Sequence, residues 1–400
     1  NNMRTVYLVK VDPNANNNKF YRMIDNGGYE FTVEYGRIGN ANFATDSYSL
    51  RDWDKKYNEK IRKGYTDQTS LYVVPSTTSG ELLKYSQINN KAIQGLVDRL
   101  MTLAKQSIQK NYLVSSTGVT DLMIRKAQSI IADLSINTDI YLFNELLVEL
   151  FTIIPRKMDN VAHYTAQSTY DMENIIKREQ ALLDVMRGQV AVQEVEKSYT
   201  GNKENQTILE KLGLEIQNTN DEDKATILKS AGELPGKVLN SWKVTNKKTQ
   251  EKYMNFLQEN NIRKELQLWH GSRNENWWGI FNEGLVLRPN STITGKMFGY
   301  GIYFAPSARK SYGYTSCEGS YWANGNSASG YMGLFNVAYG NPYDVYSHSN
   351  GLSSMTYENL KKQNPNAHCV HAHAGNMLRN DEIIVYHEHQ TTIKYLVEFR

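Results

Sequence analysis

Cysteine is nearly absent: Cys317 and Cys369 are the only two in 400 residues. Two thiols cannot build a disulfide framework, which excludes the stapled secreted class and fits a reducing compartment. Long apolar runs are missing as well. The longest, near Ile140 to Ile154, is broken by Asn144, Glu145 and Glu149, so no membrane span is expected, and the N-terminus lacks the charged start and apolar run of a signal peptide. Neither sign of charge dominates, with 45 Lys and Arg against 42 Asp and Glu, so a nucleic-acid surface would have to arise from local clustering. No GxGxxG opens a helix after a strand, which argues against a Rossmann dehydrogenase, and no internal repeat is present. These absences leave an intracellular, modular chain of two to four domains, at ~100 to 200 residues each.

From Met3 to about Tyr72 the pattern has period two. Tyr29, Phe31, Val33 and Tyr35 share one strand face, with Glu30, Thr32 and Glu34 on the other. Ser49-Leu50-Arg51-Asp52 has the form of a capping box, followed by the helical stripe Leu50, Trp53, Tyr57 and Ile61, which stops before Gly64. The opposite face carries Lys55, Lys56, Arg62 and Lys63, a solvated helix end or a phosphate contact; residues 1–80 hold 11 basic against 9 acidic side chains. A Ser/Thr-rich linker from Pro75 to Gly80 closes a first domain, 1–78. Its Tyr35-Gly36-Arg37-Ile38-Gly39 and Tyr57-x-x-Lys60-Ile61-x-Lys63-Gly64-Tyr65 resemble a WGR domain, with tyrosine in place of the family's tryptophan. The resemblance implies recognition of broken or nicked DNA, with Tyr35 near a terminal sugar and Arg37 bridging domains.

Residues 81–197 turn helical. Leu96, Leu100 and Leu103 fall on one face, as do Met123, Ala127, Ile130 and Leu134 behind Thr120 as N-cap. Ile140 to Ile154 is apolar nearly all round and reads as a central buried helix ended by Pro155. Met172, Ile175, Ile176, Leu183, Met186 and Val190 give a last helix its buried side, after a Ser168-x-x-Asp171 start. Phe143-Asn144-Glu145-Leu146 through Phe151-Thr152-Ile153-Ile154-Pro155 resembles the helical regulatory domain of DNA-dependent poly(ADP-ribose) polymerases, a bundle that obstructs NAD entry until DNA loosens it. After polar breaks at Asn202 to Asn205 and Asn218 to Asp223, short strands and helices alternate through a third domain, 205–400.

That third domain carries the chemistry in Leu268-Trp269-His270-Gly271-Ser272-Arg273, Gly301-Ile302-Tyr303-Phe304-Ala305 and Glu382-Ile383-Ile384-Val385-Tyr386. A histidine beside a glycine, a tyrosine on an apolar strand and a carboxylate opening another strand can hold a dinucleotide by backbone bonds, stacking and one charge. Singly, each has a plain reading: a structural histidine, a core aromatic among 27 tyrosines, a solvated glutamate. Their order and spacing resemble the His-Tyr-Glu catalytic domain of the poly(ADP-ribose) polymerases. The fold class expected is therefore multidomain α+β: a small β-sheet plus helix, an α-helical bundle and a mixed α+β ADP-ribosyltransferase domain.

The resemblance implies NAD as a consumed substrate. Cleavage of the nicotinamide–ribose bond builds positive charge on the sugar, and Glu382 would accept from the ribose 2'-hydroxyl and draw the proton from an acceptor hydroxyl. Tyr303 and Tyr314 would sandwich nicotinamide, Gly271 and Ser311 would hold its carboxamide, and His270 and Ser272 would reach the adenine-side ribose. Asn276, Gly279 and Lys310 match the family by position.

Two departures stand out. The loop Leu285 to Gly295 is shorter than in relatives, with Val286 where arginine is common and Arg288 as its substitute, and Asn380-Asp381 precede Glu382 where polymer-forming relatives have an aromatic residue. The expected activity is DNA-break-stimulated modification of proteins, itself included, with ADP-ribose, as poly(ADP-ribose). Alternatives are a mono-ADP-ribosyltransferase, an NAD glycohydrolase and a DNA-end sensor lacking turnover. His368, Cys369, His371 and His373 match no structural zinc spacing and read as a polar surface loop, so no metal is expected. Lys247, Lys248 and Lys252 are too sparse for an import signal, which leaves nucleus, cytoplasm and nucleoid open.

Overall fold

Alternating apolar residues near the N-terminus build β1 (Thr5–Asp12), β2 (Asn17–Asp25), β3 (Glu30–Arg37) and β4 (Ala44–Ser49), followed by α1 (Trp53–Arg62) and the short β5 (Thr66–Asp67). The computed structural model describes residues 4–38, 40, 42–71, 85–112, 118–197, 206–234, 237–287, 297–318 and 327–400. Of the sequence expectations, the Pro75 to Gly80 linker, Gly39, Asn202 to Asn205, Arg288 and Gly295 lie outside them. The chain divides into two compact units, Asn1–Glu81 with Gln106–Val190, and Leu82–Lys105 with Ala191–Arg400.

In the first unit the strands form one antiparallel sheet, ordered β4-β3-β2-β1-β5. Leu8, Tyr21, Met23, Phe31, Val33 and Trp53 make its core. Tyr29, expected on the buried face, is 96% exposed just ahead of β3. Ser49 makes no capping bond: residues Leu50–Asp52 form a 3-10 turn, and α1 begins only at Trp53, behind Asp52. Ile61 ends the expected stripe partly exposed.

The helical segment comprises α2 (Lys91–Asn111), α3 (Asp121–Ile136), α4 (Ile140–Ile153) and α5 (Thr169–Lys197). Thr120 caps α3 by accepting from Met123 N–H at 3.2 Å. Asp171 Oδ2 accepts from the Gln167 and Ser168 N–H groups at the start of α5, and these bonds hold its carboxyl below the usual range. α4 is not buried all round. Asp139 caps it, leaving Tyr141 80% and Leu142 51% exposed while Phe143, Leu147, Leu150 and Phe151 are buried. Inside the bundle Arg156 and Glu179 form a buried ion pair, and Asn18 of β2 donates to the Arg156 carbonyl at 3.0 Å.

The second unit adds, after α2, α6 (Ile208–Leu212), β6 (Leu214–Asn218), α7 (Asp221–Ala231), β7 (Val238–Asn246), α8 (Lys247–Glu259), β8 (Glu265–Gly271), α9 (Trp277–Glu283), β9 (Ile302–Phe304) and α10 (Ala308–Tyr312). It continues through β10 (Gly330–Ala338), β11 (Pro342–Val345), α11 (Tyr357–Gln363), β12 (Cys369–Ala372), β13 (Glu382–Val385) and β14 (Thr391–Phe399). An antiparallel sheet, β6-β7-β14-β10-β8, packs Trp269, Met332, Leu334, Tyr395, Val397 and Phe399 into one core. A four-stranded sheet, β11-β12-β13-β9, is antiparallel except for the parallel β11/β12 pair. The two meet at an antiparallel bridge between Trp269 and Ala305, with bonds of 2.8 and 3.0 Å.

Residues 369–372, expected in a surface loop, are instead strand β12 with Cys369, Val370 and Ala372 fully buried. The two thiols differ: Cys317 is half-buried, while burial pushes the Cys369 thiol up to about 12. Among the described residues no helix is long and apolar enough to cross a membrane.

Candidate active site

The Trp269–Ala305 bridge sets the end of β8 beside β9. His270 Nδ1 lies 2.9 Å from the Tyr303 carbonyl oxygen. Since a carbonyl only accepts, Nδ1 carries the proton of this bond. Phe304 and Phe335 flank the ring edge-on, with centroids 5.8 and 6.0 Å away. A Cβ at Gly271 would overlap the Ser311 carbonyl oxygen, so only glycine allows α10 to sit this close to β8. Ser311, nearly fully buried, donates to the Trp269 carbonyl at 3.1 Å.

Tyr303 is fixed at both ends. Its backbone pairs with Ile384 of β13, and its hydroxyl donates to the Gly299 carbonyl at 2.9 Å while accepting from Phe298 N–H at 3.1 Å. Gly299 has φ +80°, a left-handed conformation that lets the turn wrap around this hydroxyl. Burial pushes Tyr303 above the usual phenol range, Phe298 N–H opposes that, and the charge of Glu382 adds to it. Tyr303 is a neutral ring wall rather than an acid.

Glu382 opens β13. Strand alternation puts it on the same sheet face as Ile384 and hence as Tyr303. Its carboxylate is 12% exposed and pairs with Lys310 Nζ at 2.5 Å, while its charge is felt by the hydroxyls of both Tyr303 and Tyr314. Tyr314 is 62% exposed, at the open side.

Beyond β8, Asn276 Nδ2 donates to Ser272 Oγ at 2.9 Å and Trp277 Nε1 to the Ser272 carbonyl at 3.3 Å. Asn276 Oδ1 is buried without a hydrogen-bond partner, an acceptor available to a bound hydroxyl. Gly279 lies half-buried inside α9. Sequence reading missed Asn274. Its backbone N–H donates to Ser316 Oγ at 2.8 Å and its side-chain amide to the Ser329 carbonyl at 3.1 Å, tying the His-Gly-Ser-Arg turn to segments 42 and 55 residues away. Arg99 of α2 reaches the same region, donating to Ser329 Oγ at 3.1 Å and pairing with Glu398 at 3.5 Å. No local pattern signals contacts of that sequence separation.

In the first unit Tyr35 donates to Asp46 at 2.9 Å. Arg37 donates to the carbonyls of Met158 and Asp159 at 3.2 and 3.1 Å and to Asn16.

Residues 215–400 match the family model of the poly(ADP-ribose) polymerase catalytic domain and residues 4–71 that of the WGR domain. The putative poly [ADP-ribose] polymerase-like 100L of Invertebrate iridescent virus 6 is 31% identical over 155 residues, 38% of this chain and 79% of that protein. The chain belongs to the poly(ADP-ribose) polymerase family. Uncharacterized protein 101L of the same virus is 34% identical over 186 residues, 46% of this chain and 76% of its own length. Poly [ADP-ribose] polymerase 2 of Arabidopsis thaliana is 29% identical over 167 residues, 36% of this chain but 25% of that protein. This chain's WGR segment beside the catalytic domain is the domain pairing of the DNA-dependent type within that family. The chain is an NAD ADP-ribosyltransferase, NAD being its substrate, on a multidomain α+β architecture.

Proposed function

We propose that this polymerase transfers ADP-ribose to proteins, itself included, extends it into poly(ADP-ribose), and is stimulated by broken DNA. The observation that carries the catalytic part is the sheltered Glu382 carboxylate, held by Lys310 at 2.5 Å on the sheet face of Tyr303. As the bond between nicotinamide and ribose C1' breaks, positive charge spreads over the sugar. Glu382, accepting from the 2'-hydroxyl, stabilises that charge and takes the proton of the attacking hydroxyl. Tyr303 and Tyr314 stack on nicotinamide, Gly271 and Ser311 bind its carboxamide, and His270 Nε2 and Ser272 face the distal ribose. Asn276 and Gly279 complete that side. In chain extension the attacking hydroxyl belongs to the previous ADP-ribose.

For DNA stimulation, support comes from the WGR match and from contacts within each unit. Tyr35 is the reading for a sugar contact. Arg37 joins β3 to the carbonyls of residues 158 and 159, and Arg99 joins α2 to Ser329, whose carbonyl holds Asn274. A signal that shifts α2 would thereby act on the turn that faces the ribose.

The test is to incubate the chain with NAD labelled in the adenylate moiety, with and without nicked DNA, and to follow nicotinamide and protein-bound label. DNA-dependent release of nicotinamide with long labelled chains is expected. Nicotinamide release with no protein label would make it a glycohydrolase, DNA binding without release a sensor, and single ADP-ribose units a mono-transferase. Removal of residues 81 to 197 is expected to give activity that ignores DNA.

A further inference from the structure

On the opposite side of β13 from Glu382 lies a second cluster of reactive side chains that the transferase chemistry does not use. In the parallel β11/β12 pair Asp344 is in register with His371, and His373 follows His371 by two residues, so the three point the same way. Their ligand atoms all lie within 4.8 Å of one another. Asp381 joins them, with Oδ2 2.8 Å from His371 Nε2 and 3.9 Å from His373 Nδ1.

We propose that Asp344, His371 and His373, with Asp381 as fourth ligand, form a binding site for a divalent transition-metal ion of the zinc class. Two imidazoles and carboxylate oxygens are the donor set that such an ion takes in tetrahedral sites, at ~2.0 to 2.2 Å, which sets neighbouring ligand atoms roughly 3.3 to 3.5 Å apart. The observed atoms bracket that spacing, and rotation of the side chains closes it. The two carboxylates match the charge of a dication.

The surrounding groups already aim the ligands. Tyr339 hydroxyl lies 2.8 Å from His371 Nδ1 and turns Nε2 towards Asp381. Such an outer hydrogen bond on the far nitrogen fixes the tautomer of a metal-bound histidine. Ala374 N–H occupies Asp381 Oδ1 at 2.8 Å and leaves Oδ2 for the site. The His373 ring is sandwiched between the His371 ring at 4.0 Å and the Tyr346 ring at 4.5 Å, with interplanar angles of 3° and 11°. Asp344 Oδ1 lies 2.7 Å from His373 Nε2. The sequence expectation of no metal rested on spacing within residues 368–373; strand pairing supplies Asp344 from 27 residues upstream of His371.

The alternative for the same atoms is a pair of His–Asp hydrogen bonds with no ion. Calorimetric titration of the full, chelator-stripped chain with zinc, together with elemental analysis after desalting, separates the two. One zinc per chain is expected, with affinity reduced at least 100-fold in His371→Gln/His373→Gln and about 10- to 100-fold in Asp344→Asn. Cobalt(II) should give tetrahedral visible bands in the wild type that the double variant lacks. Absence of zinc uptake by the wild type, or equal uptake by the double variant, overturns the site. Should the double variant lose its near-ultraviolet circular dichroism, the part-exposed Asp344→Asn decides alone: unchanged zinc affinity there overturns the proposal. None of these readouts depends on NAD turnover.

Discussion

The carboxylate of Glu382 is poised by one cation and screened from water by its neighbours, so its removal and its neutralisation should differ little in effect on transfer. Glu382→Gln keeps the shape and loses the charge. Protein-bound ADP-ribose chains are expected to fall about 100-fold or more, while NAD affinity by calorimetry changes by no more than about threefold, since the charge acts on the transition state. Equal polymer from the variant would remove Glu382 from the reaction. Gly271 predicts the opposite division. In Gly271→Ala the added methyl meets the Ser311 carbonyl, and overpacking against backbone should cost about 2 kcal/mol or more in chemical denaturation, with NAD affinity lost as well. A variant of wild-type stability would mean that α10 can move away.

Elements carry the next predictions. Arg156 and Glu179 pair in the interior of the bundle, each almost wholly buried, and Arg178 also reaches Glu179 at 3.1 Å. Glu179→Ala leaves a buried guanidinium without its counter-charge, and a loss of about 3 to 5 kcal/mol is expected in urea unfolding of the first unit's transition. Asp223 links α7 to β14 by accepting from the Tyr395 hydroxyl, and that bond holds its carboxyl below the usual value. A depressed folded-state pKa stabilises above the unfolded-state value, near 3.9, and the contribution disappears as pH falls through the folded value. Asp223→Asn should therefore lose about 1 to 3 kcal/mol at pH 7 and show a shallower decline below about pH 4. Parallel stability curves for the two proteins would contradict this.

Local periodicity made several elements readable: the Thr120 cap and the stripe from Met172 to Val190 depend on neighbours within a turn or two. Ser49 failed as a cap because a 3-10 turn over Leu50–Asp52 moves the start of α1 to Trp53, a shift that a four-residue pattern does not contain. α4 was misjudged because apolar residues at both ends of a helix say nothing about which turn the fold covers. At the site, short motifs marked His270, Tyr303 and Glu382 as candidates. Asn274, Arg99 and Asp344 were invisible, because their partners are supplied by strand order and by a helix far away in sequence.

For the whole molecule the decisive link is Arg99. It belongs to α2 yet touches β10 and β14, lying over the Tyr331 ring with its guanidinium carbon 5.3 Å from the centroid. Arg99→Ala should raise nicotinamide release in the absence of DNA several-fold and so shrink the stimulation ratio, with the DNA-saturated rate little changed. A variant whose basal rate stays at the wild-type level would separate α2 from control of the NAD turn. The two cysteines offer a way to watch that turn directly. Alkylation proceeds through the thiolate, and the raised pKa and full burial of Cys369 silence it. A maleimide dye added to the native protein would therefore attach at Cys317, the neighbour of the Ser316 hydroxyl that anchors Asn274, giving an engineering-free fluorescent gauge of site occupancy.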